Sequence, residues 1–139
     1  MNWPTLTGNW HMERQISSGE SATGFVTFTA QNDGSLLHHE QMVTRLPDGR
    51  MVNGERRYLL RHIDDNVLEV YFGDGPNNGK LFQRFEIAGG RAASTHICGT
   101  DTYDSTFQMQ RDDSFVITHK VSGTNKDYTI HTVYTQIIL

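Results

Sequence analysis

Short runs of β-forming residues, separated by turn residues, recur along the whole chain. Leu36–Arg45, Val67–Phe72 and Ser114–Ser122 each have the length and composition of a strand. No segment shows the 3.6-residue spacing of apolar positions that an amphipathic helix requires. Strands at intervals of about 8–12 residues are typical of sandwiches and barrels. Because hairpin follows hairpin, the sequence predicts an all-β fold, an antiparallel up-and-down β-barrel of about nine or ten strands.

The 139 residues are expected to form a single domain, 1–139. Met1–Thr7 is expected to lead into it. Turns are expected at Gln31–Gly34, where Asp and Gly tolerate positive φ, at Leu46–Arg50, where Pro presets φ, and at Asp112-Asp113.

Composition excludes several classes of partner. The net charge is −4 and Lys and Arg are scattered, which disfavours nucleic-acid binding. No apolar run approaches the roughly 20 residues of a membrane helix, so no membrane partner is expected. One cysteine rules out an internal disulfide, and with no signal peptide in view it favours the cytoplasm.

Strict alternation places the large apolar residues of several strands on one face. We expect that face to be the barrel interior, with Trp10, Phe28, Val70, Phe72 and Phe82 inside. In the strand Lys80–Ile87, alternation puts Phe82 and Arg84 on one side, and Leu81, Gln83 and Phe85 on the other.

His96, Cys98, Asp101 and Tyr103 form the densest group of chemically active side chains. One hypothesis makes them a pocket wall in which His96 is the general acid or base, Asp101 its orienter and Tyr103 a donor. The alternative is a hydrogen-bonded polar plug that closes one end of the barrel. Cys98 is expected to be a buried, inert thiol rather than a nucleophile, because residues two apart on a strand are poorly placed for a direct hydrogen bond.

Zinc is a further option, since His38 and His39 join His96, Cys98 and Asp101 as possible ligand types. The chain lacks paired ligand spacings, so neither a metal nor any other cofactor is expected.

A second polar group is predicted on neighbouring strands. Together with Cys98, the candidate ligand-binding residues are Glu40, Arg56, Tyr58, Lys126 and Tyr128, with Arg56 or Lys126 as an anion clamp. The alternatives are a structural ion pair to Glu40 and a tyrosine corner at Tyr128.

The chain resembles an uncharacterised bacterial and fungal family of lipocalin-like, calycin-type domains. The resemblance covers nearly the whole sequence. It is most specific at two motifs, His96-x-Cys98-x-x-Asp101-x-Tyr103 and Val121-x-Gly123-x-x-Lys126-Asp127-Tyr128, and it is supported by Gly8-x-Trp10 with Arg14 and by Tyr134. His38, Gln83 and Thr124 depart from the family pattern. The resemblance implies a calycin-like barrel and no established activity.

Three functions follow from these residues. The first is the binding of a small amphipathic molecule, anionic or phenolic, in the barrel cavity. The second is a cofactor-independent enzyme, an isomerase, cyclase, decarboxylase or hydrolase, that uses His96 and Asp101 as an acid–base pair. The third is an interaction module that binds through an open sheet edge. The expected partner is a small-molecule ligand or substrate, and the chain is expected to be a monomer or homodimer.

Overall fold

The computed structural model of the protein describes residues 6–111 and 113–138. The predicted lead-in Met1–Thr7 and the predicted turn at Asp112-Asp113 therefore lie partly outside the described residues. The described residues form ten strands: β1 (Gly8–Ile16), β2 (Ser21–Ala30), β3 (Leu36–Arg45), β4 (Met51–Asp64), β5 (Val67–Phe72), β6 (Leu81–Glu86), β7 (Arg91–Cys98), β8 (Asp101–Arg111), β9 (Ser114–Ser122) and β10 (Asp127–Gln136).

The strands form one antiparallel sheet in the order β6-β5-β4-β3-β2-β1-β10-β9-β8-β7. Consecutive strands are neighbours, and β1 also pairs with β10, so that the meander curls into a nearly closed barrel. In the described part of the chain, β6 and β7 share no ladder of strand pairs. Across this seam the Arg84 backbone N–H donates to Ser94 Oγ at 3.1 Å. The predicted all-β up-and-down barrel is confirmed.

The turn predicted at Gln31–Gly34 connects β2 and β3. Gly34 has φ +87°, and its N–H donates to the Gln31 carbonyl at 3.1 Å. The Asp33 carboxylate accepts the Ser35 N–H at 3.0 Å, which is the usual role of an aspartate in a turn. Within the described residues, no helix is long and apolar enough to cross a bilayer.

The core begins at Trp10, which is fully buried in the first strand and donates Nε1–H to the Leu6 carbonyl at 2.7 Å. Its ring meets Phe28 and Phe115 edge to face, at centroid distances of 6.2 and 5.0 Å. Of the five residues predicted inside, Trp10, Phe28 and Phe82 are buried, while Val70 and Phe72 are partly buried and line internal spaces.

The alternation predicted for β6 is wrong at its centre. The pairing of β5 with β6 runs Val70 with Gln83 and then Tyr71 with Leu81, so Phe82 is the extra residue of a β-bulge. A bulge breaks the two-residue period, and so Phe82 and Gln83 both face inward. Arg84, which alternation placed with Phe82, is exposed.

Candidate functional site

The barrel encloses two adjoining spaces. The inner chamber has a cavity volume of about 60 Å³. Its walls are mainly apolar and include Phe28, Leu60, Leu68, Phe85, Phe115 and Ile117. The second space, the vestibule, has a cavity volume of about 480 Å³. Its lining residues include Arg56, Phe72, Asp74, His96, Cys98 and Tyr128. Arg14, Tyr58, Phe82 and His119 line both spaces, so they form the boundary between them.

Glu40 is the charged centre of the inner chamber and is buried. Arg14 Nη2 lies 3.2 Å from each carboxylate oxygen, and Tyr134 OH donates to Oε1 at 2.9 Å. His38 Nε2 lies 2.9 Å from the same Oε1. An ionised carboxylate accepts only, so His38 must carry its proton on Nε2. Arg14 is held in turn by Thr132 Oγ1, which accepts from Nε at 2.9 Å.

These partners keep Glu40 charged. Burial alone would raise the pKa of the Glu40 carboxyl, but the hydrogen bond and charge of His38 and the charge of Arg14 outweigh it and hold the pKa well below its usual range. Burial raises the pKa of Tyr134 well above its usual value, so its hydroxyl keeps its proton and donates. The cluster therefore contains one compensated ion pair and no free acid.

A second set of hydrogen bonds connects three polar side chains in the chamber wall. Gln83 Nε2 donates to Ser105 Oγ at 2.7 Å, and Ser105 Oγ lies 2.5 Å from His119 Nδ1. Burial and the nearby Arg14 charge lower the pKa of His119 from 6.5 to about 4, so the ring is neutral at pH 7. Gln83 Oε1 is buried and has no hydrogen-bond partner in the described part of the chain.

Phe82 is the centre of an aromatic cluster at the boundary of the two spaces. The Phe72 ring lies closest, at a centroid distance of 4.7 Å, and Tyr58 stacks at 6.1 Å with an interplanar angle of 18°. Three more rings complete the cluster at 5.4–5.7 Å, those of His96, Tyr103 and His119. A flat aromatic molecule entering the vestibule would meet ring faces and edges of matching chemistry.

Arg56 is the exposed cation of the vestibule. Its Nη2 donates to Tyr58 OH at 3.3 Å, and its guanidinium carbon lies 5.8 Å from the centre of the Tyr58 ring. Among the residues that the structure describes, it makes no ion pair. Asp74, on the same rim, instead accepts the Arg57 backbone N–H at 2.7 Å.

The sequence-predicted site residues divide into three groups. His96, Cys98, Tyr103, Arg56, Tyr58 and Tyr128 line the vestibule together. Glu40 lies deeper, in the inner chamber. Asp101 and Lys126 line neither space, and they form an ion pair with each other at 2.8 Å.

Two expectations about the His96 group need correction. The hairpin register places His96 opposite Tyr103 and Cys98 opposite Asp101, and the Asp101 carboxylate is engaged by Lys126 rather than by His96. Cys98 is exposed, whereas the sequence predicted a buried thiol. Cys98 is the last residue of β7 and precedes the two-residue turn Gly99-Thr100, and the residues at this end of the hairpin are exposed.

The two histidines of β3 lie on opposite sides, as alternation predicts. His38 faces the chamber, while His39 pairs outside with Glu55 at 3.1 Å. Within residues 6–111 and 113–138, no three His, Cys, Asp or Glu side chains are grouped so that they could hold a metal ion.

Sequence reasoning did not assign site roles to Arg14, Tyr134, Ser105 and His119. The signal for two of them was present. Arg14 shares its parity with the core residues Trp10 and Met12, and His119 shares its parity with Phe115 and Val121 on β9. A polar residue at an apolar parity indicates an inward-facing group that needs a partner.

Comparisons with solved structures show the same fold. The structure of an S-type phycobiliprotein lyase, CPES, from Guillardia theta matches with a TM-score of 0.70 at 7% identity, covering 96% of this chain and 89% of that one. A redesigned β-barrel, mFAP1, bound to DFHBI matches at 0.51 with 11% identity, over 94% of each chain. EF1p2_mFAP2b bound to DFHBI matches at 0.52 with 10% identity, over 95% and 94%.

Comparison with curated proteins found no match. A family model does match, over residues 6–136, and its description is a family of unknown function, DUF6314. Since the match extends over nearly the whole sequence, the chain belongs to the DUF6314 family.

Proposed function

We propose that the protein binds a small, flat aromatic molecule that carries an anionic group, with the ring system in the vestibule. The observation that carries this proposal is that the Phe82 aromatic cluster shares one open space with Arg56, which has no ion-pair partner among the described residues. At about 480 Å³ the vestibule falls within the range of small-molecule sites, which is roughly 300–1,000 Å³.

The charges favour an anion over a cation. Glu40 already neutralises Arg14, so among the described residues that line the vestibule Arg56 is the cation without an ion-pair partner. The Asp74 carboxylate on the same rim acts on Arg56 through its charge but forms no ion pair with it. A guanidinium binds carboxylates and phenolates through charge-assisted hydrogen bonds, which are about twice as strong as neutral ones. Tyr58, under the Arg56 guanidinium, holds it over the space where the ligand would lie.

The structural neighbours support a binding role for this architecture. Two of them are barrels bound to DFHBI, and another is a phycobiliprotein lyase. Barrels of this shape can therefore enclose a small molecule. The class of ligand that we propose for this protein rests on its own residues.

The alternative, a cofactor-independent enzyme with His96 and Asp101 as an acid–base pair, has less support. Asp101 is held by Lys126 at 2.8 Å, and His96 makes ring contacts with Phe82, Phe72 and Tyr103. Those contacts suit a wall that packs against a ligand.

The test is a fluorescence titration with 2-naphthoate, a flat aromatic carboxylate. We expect saturable binding to the wild-type protein and about tenfold weaker binding to Arg56→Gln, which keeps hydrogen-bonding capacity but removes the charge. Arg50→Gln is the matched control, because Arg50 pairs with Asp48 on an exposed turn and lines neither space. No saturable binding, or equal affinities for wild type and Arg56→Gln, would refute the proposal.

A further inference from the structure

The inner chamber contains a buried acceptor that its neighbours do not satisfy. Gln83 is about 1% exposed and lines the chamber, and its Oε1 has no hydrogen-bond partner in the part of the chain that the structure describes. A buried polar atom without a partner costs about 1–3 kcal/mol, so such atoms in native proteins call for an explanation. We propose that Gln83 and His119 form an end-group subsite that binds a neutral N–H or O–H group of the ligand, a proposal that rests on the binding function above.

The direction of the hydrogen bonds identifies which atoms remain available. Ser105 Oγ accepts from Gln83 Nε2, and among the described residues His119 Nδ1 is the hydrogen-bond partner within reach of its single hydrogen. A neutral imidazole that accepts at Nδ1 carries its hydrogen on Nε2. The chain of three side chains therefore leaves an acceptor, Gln83 Oε1, at one end and a donor, His119 Nε2–H, at the other.

These two atoms select a chemical class. An amide oxygen can only accept, so its partner must present N–H or O–H. A carboxylate, a ketone or an ether offers no hydrogen and would leave Oε1 unsatisfied. A primary amide or a hydroxyl supplies a donor to Gln83 and an acceptor to His119. The subsite thus matches a neutral group that is donor and acceptor at once.

The size of the chamber limits what enters it. About 60 Å³ is well below the roughly 150 Å³ of an engineered cavity that binds benzene. The chamber can take a small end group while the ring to which it is attached stays in the vestibule. Tyr58, Phe82 and His119 line both spaces, so a ligand that spans them would pass beside these three side chains. The class of ligand is therefore an aromatic anion with a neutral hydrogen-bond donor at its far end.

Two probes of nearly equal shape test the subsite. 6-Carbamoyl-2-naphthoate carries the carboxylate for Arg56 and a primary amide at the far end. 6-Acetyl-2-naphthoate replaces the amide nitrogen by a methyl group and loses the donor. In fluorescence or calorimetric titrations, we expect the wild-type protein to bind the amide about tenfold more tightly than the ketone.

Gln83→Met removes the acceptor while conserving length, and we expect it to bind the two probes equally. Gln108→Met is the matched control, because Gln108 is an exposed residue of β8, and it should keep the wild-type preference. A thermal melt checks folding, and if Gln83→Met does not fold, the wild-type comparison decides alone.

Each outcome has one meaning. An amide preference that Gln83→Met abolishes supports the subsite. Equal affinities of the two probes for the wild-type protein would mean that buried water satisfies Oε1; the subsite would then be wrong, and the binding function would stand. A preference that survives in Gln83→Met would also overturn it. If neither probe binds, the subsite is wrong, and the titration with 2-naphthoate decides whether the binding function stands.

Discussion

Arg14 and Glu40 form an ion pair inside the barrel, with the guanidinium Nη2 at 3.2 Å from both carboxylate oxygens. Removing the carboxylate would leave a buried cation without its counter-ion. We therefore expect Glu40→Ala to lower the free energy of unfolding by about 3–5 kcal/mol, measured by urea denaturation. Glu55→Ala, which breaks exposed pairs, should cost less than about 1 kcal/mol. Equal losses for the two variants would show that the Arg14–Glu40 pair is not desolvated.

His119 should make stability depend on pH. Its pKa is about 4 in the folded protein against 6.5 for an ordinary histidine, so between these values the unfolded chain binds more protons. Its contribution is complete above about pH 6.5 and is lost as the pH falls to about 4, on the order of 3 kcal/mol in total. The lowered pKa of Glu40 acts in a different window, since its contribution is lost only below the ordinary value of 4.5.

Urea denaturation of wild type and His119→Gln at about pH 7.5 and about pH 5 separates the two groups. We expect the wild type to lose more stability than His119→Gln over this interval, because glutamine does not titrate. Parallel losses in the two proteins would mean that His119 is not the group responsible.

The bulge in β6 predicts an unusual pattern of alanine effects. Phe82 and Phe85 are both buried, whereas Leu81 is 41% exposed. Phe82→Ala and Phe85→Ala should each lower the free energy of unfolding by about 3–5 kcal/mol, and Leu81→Ala by less than about 1 kcal/mol. Uninterrupted alternation would place Phe82 and Phe85 on opposite faces, so a small effect at either one would contradict the bulge.

Two glycines on either side of Met42 provide a matched pair. Gly24 and Gly54 are its register partners on β2 and β4. A Cβ at Gly24 would lie 2.7 Å from Met42 Cα and would collide with the Gln41 carbonyl, whereas a Cβ at Gly54 would first meet Met42 Cγ, at 3.9 Å. We expect Gly24→Ala to destabilise by about 1–3 kcal/mol and Gly54→Ala to be neutral or slightly stabilising, by thermal melts. The reverse order would show that β2 and β3 do not approach so closely.

Local features of the sequence were sufficient for most of the fold. The bounds predicted for Leu36–Arg45, Val67–Phe72 and Ser114–Ser122 agree with β3, β5 and β9, because β propensity and turn chemistry act over a few residues. Glu40 and Tyr58, which the sequence predicted as ligand-binding residues, line the inner chamber, since each strand keeps its own parity.

The partners of the site residues could not be predicted in the same way. The Asp101–Lys126 and Arg14–Glu40 pairs join residues from different hairpins, and alternation says nothing about which inward groups meet. Gln83 was assigned to the wrong side because a bulge changes parity without a clear sequence signal. The acceptor on which the end-group subsite depends was therefore hidden until the pairing of β5 with β6 was known.

The seam between β6 and β7 lies at the opposite point of the sheet from the chain ends. Strands β1 and β10 are far apart in sequence but pair through a full ladder of backbone hydrogen bonds. Strands β6 and β7 are connected by the short segment 87–90, yet within the described residues no ladder pairs them. Widening the barrel at this seam would break no strand ladder, but it would break the Arg84–Ser94 and Gln83–Ser105 hydrogen bonds, which cross it. Among the junctions of the described residues, this seam is therefore the one where a change in the circumference of the barrel would cost the fewest backbone hydrogen bonds, because the nine laddered junctions would keep their register.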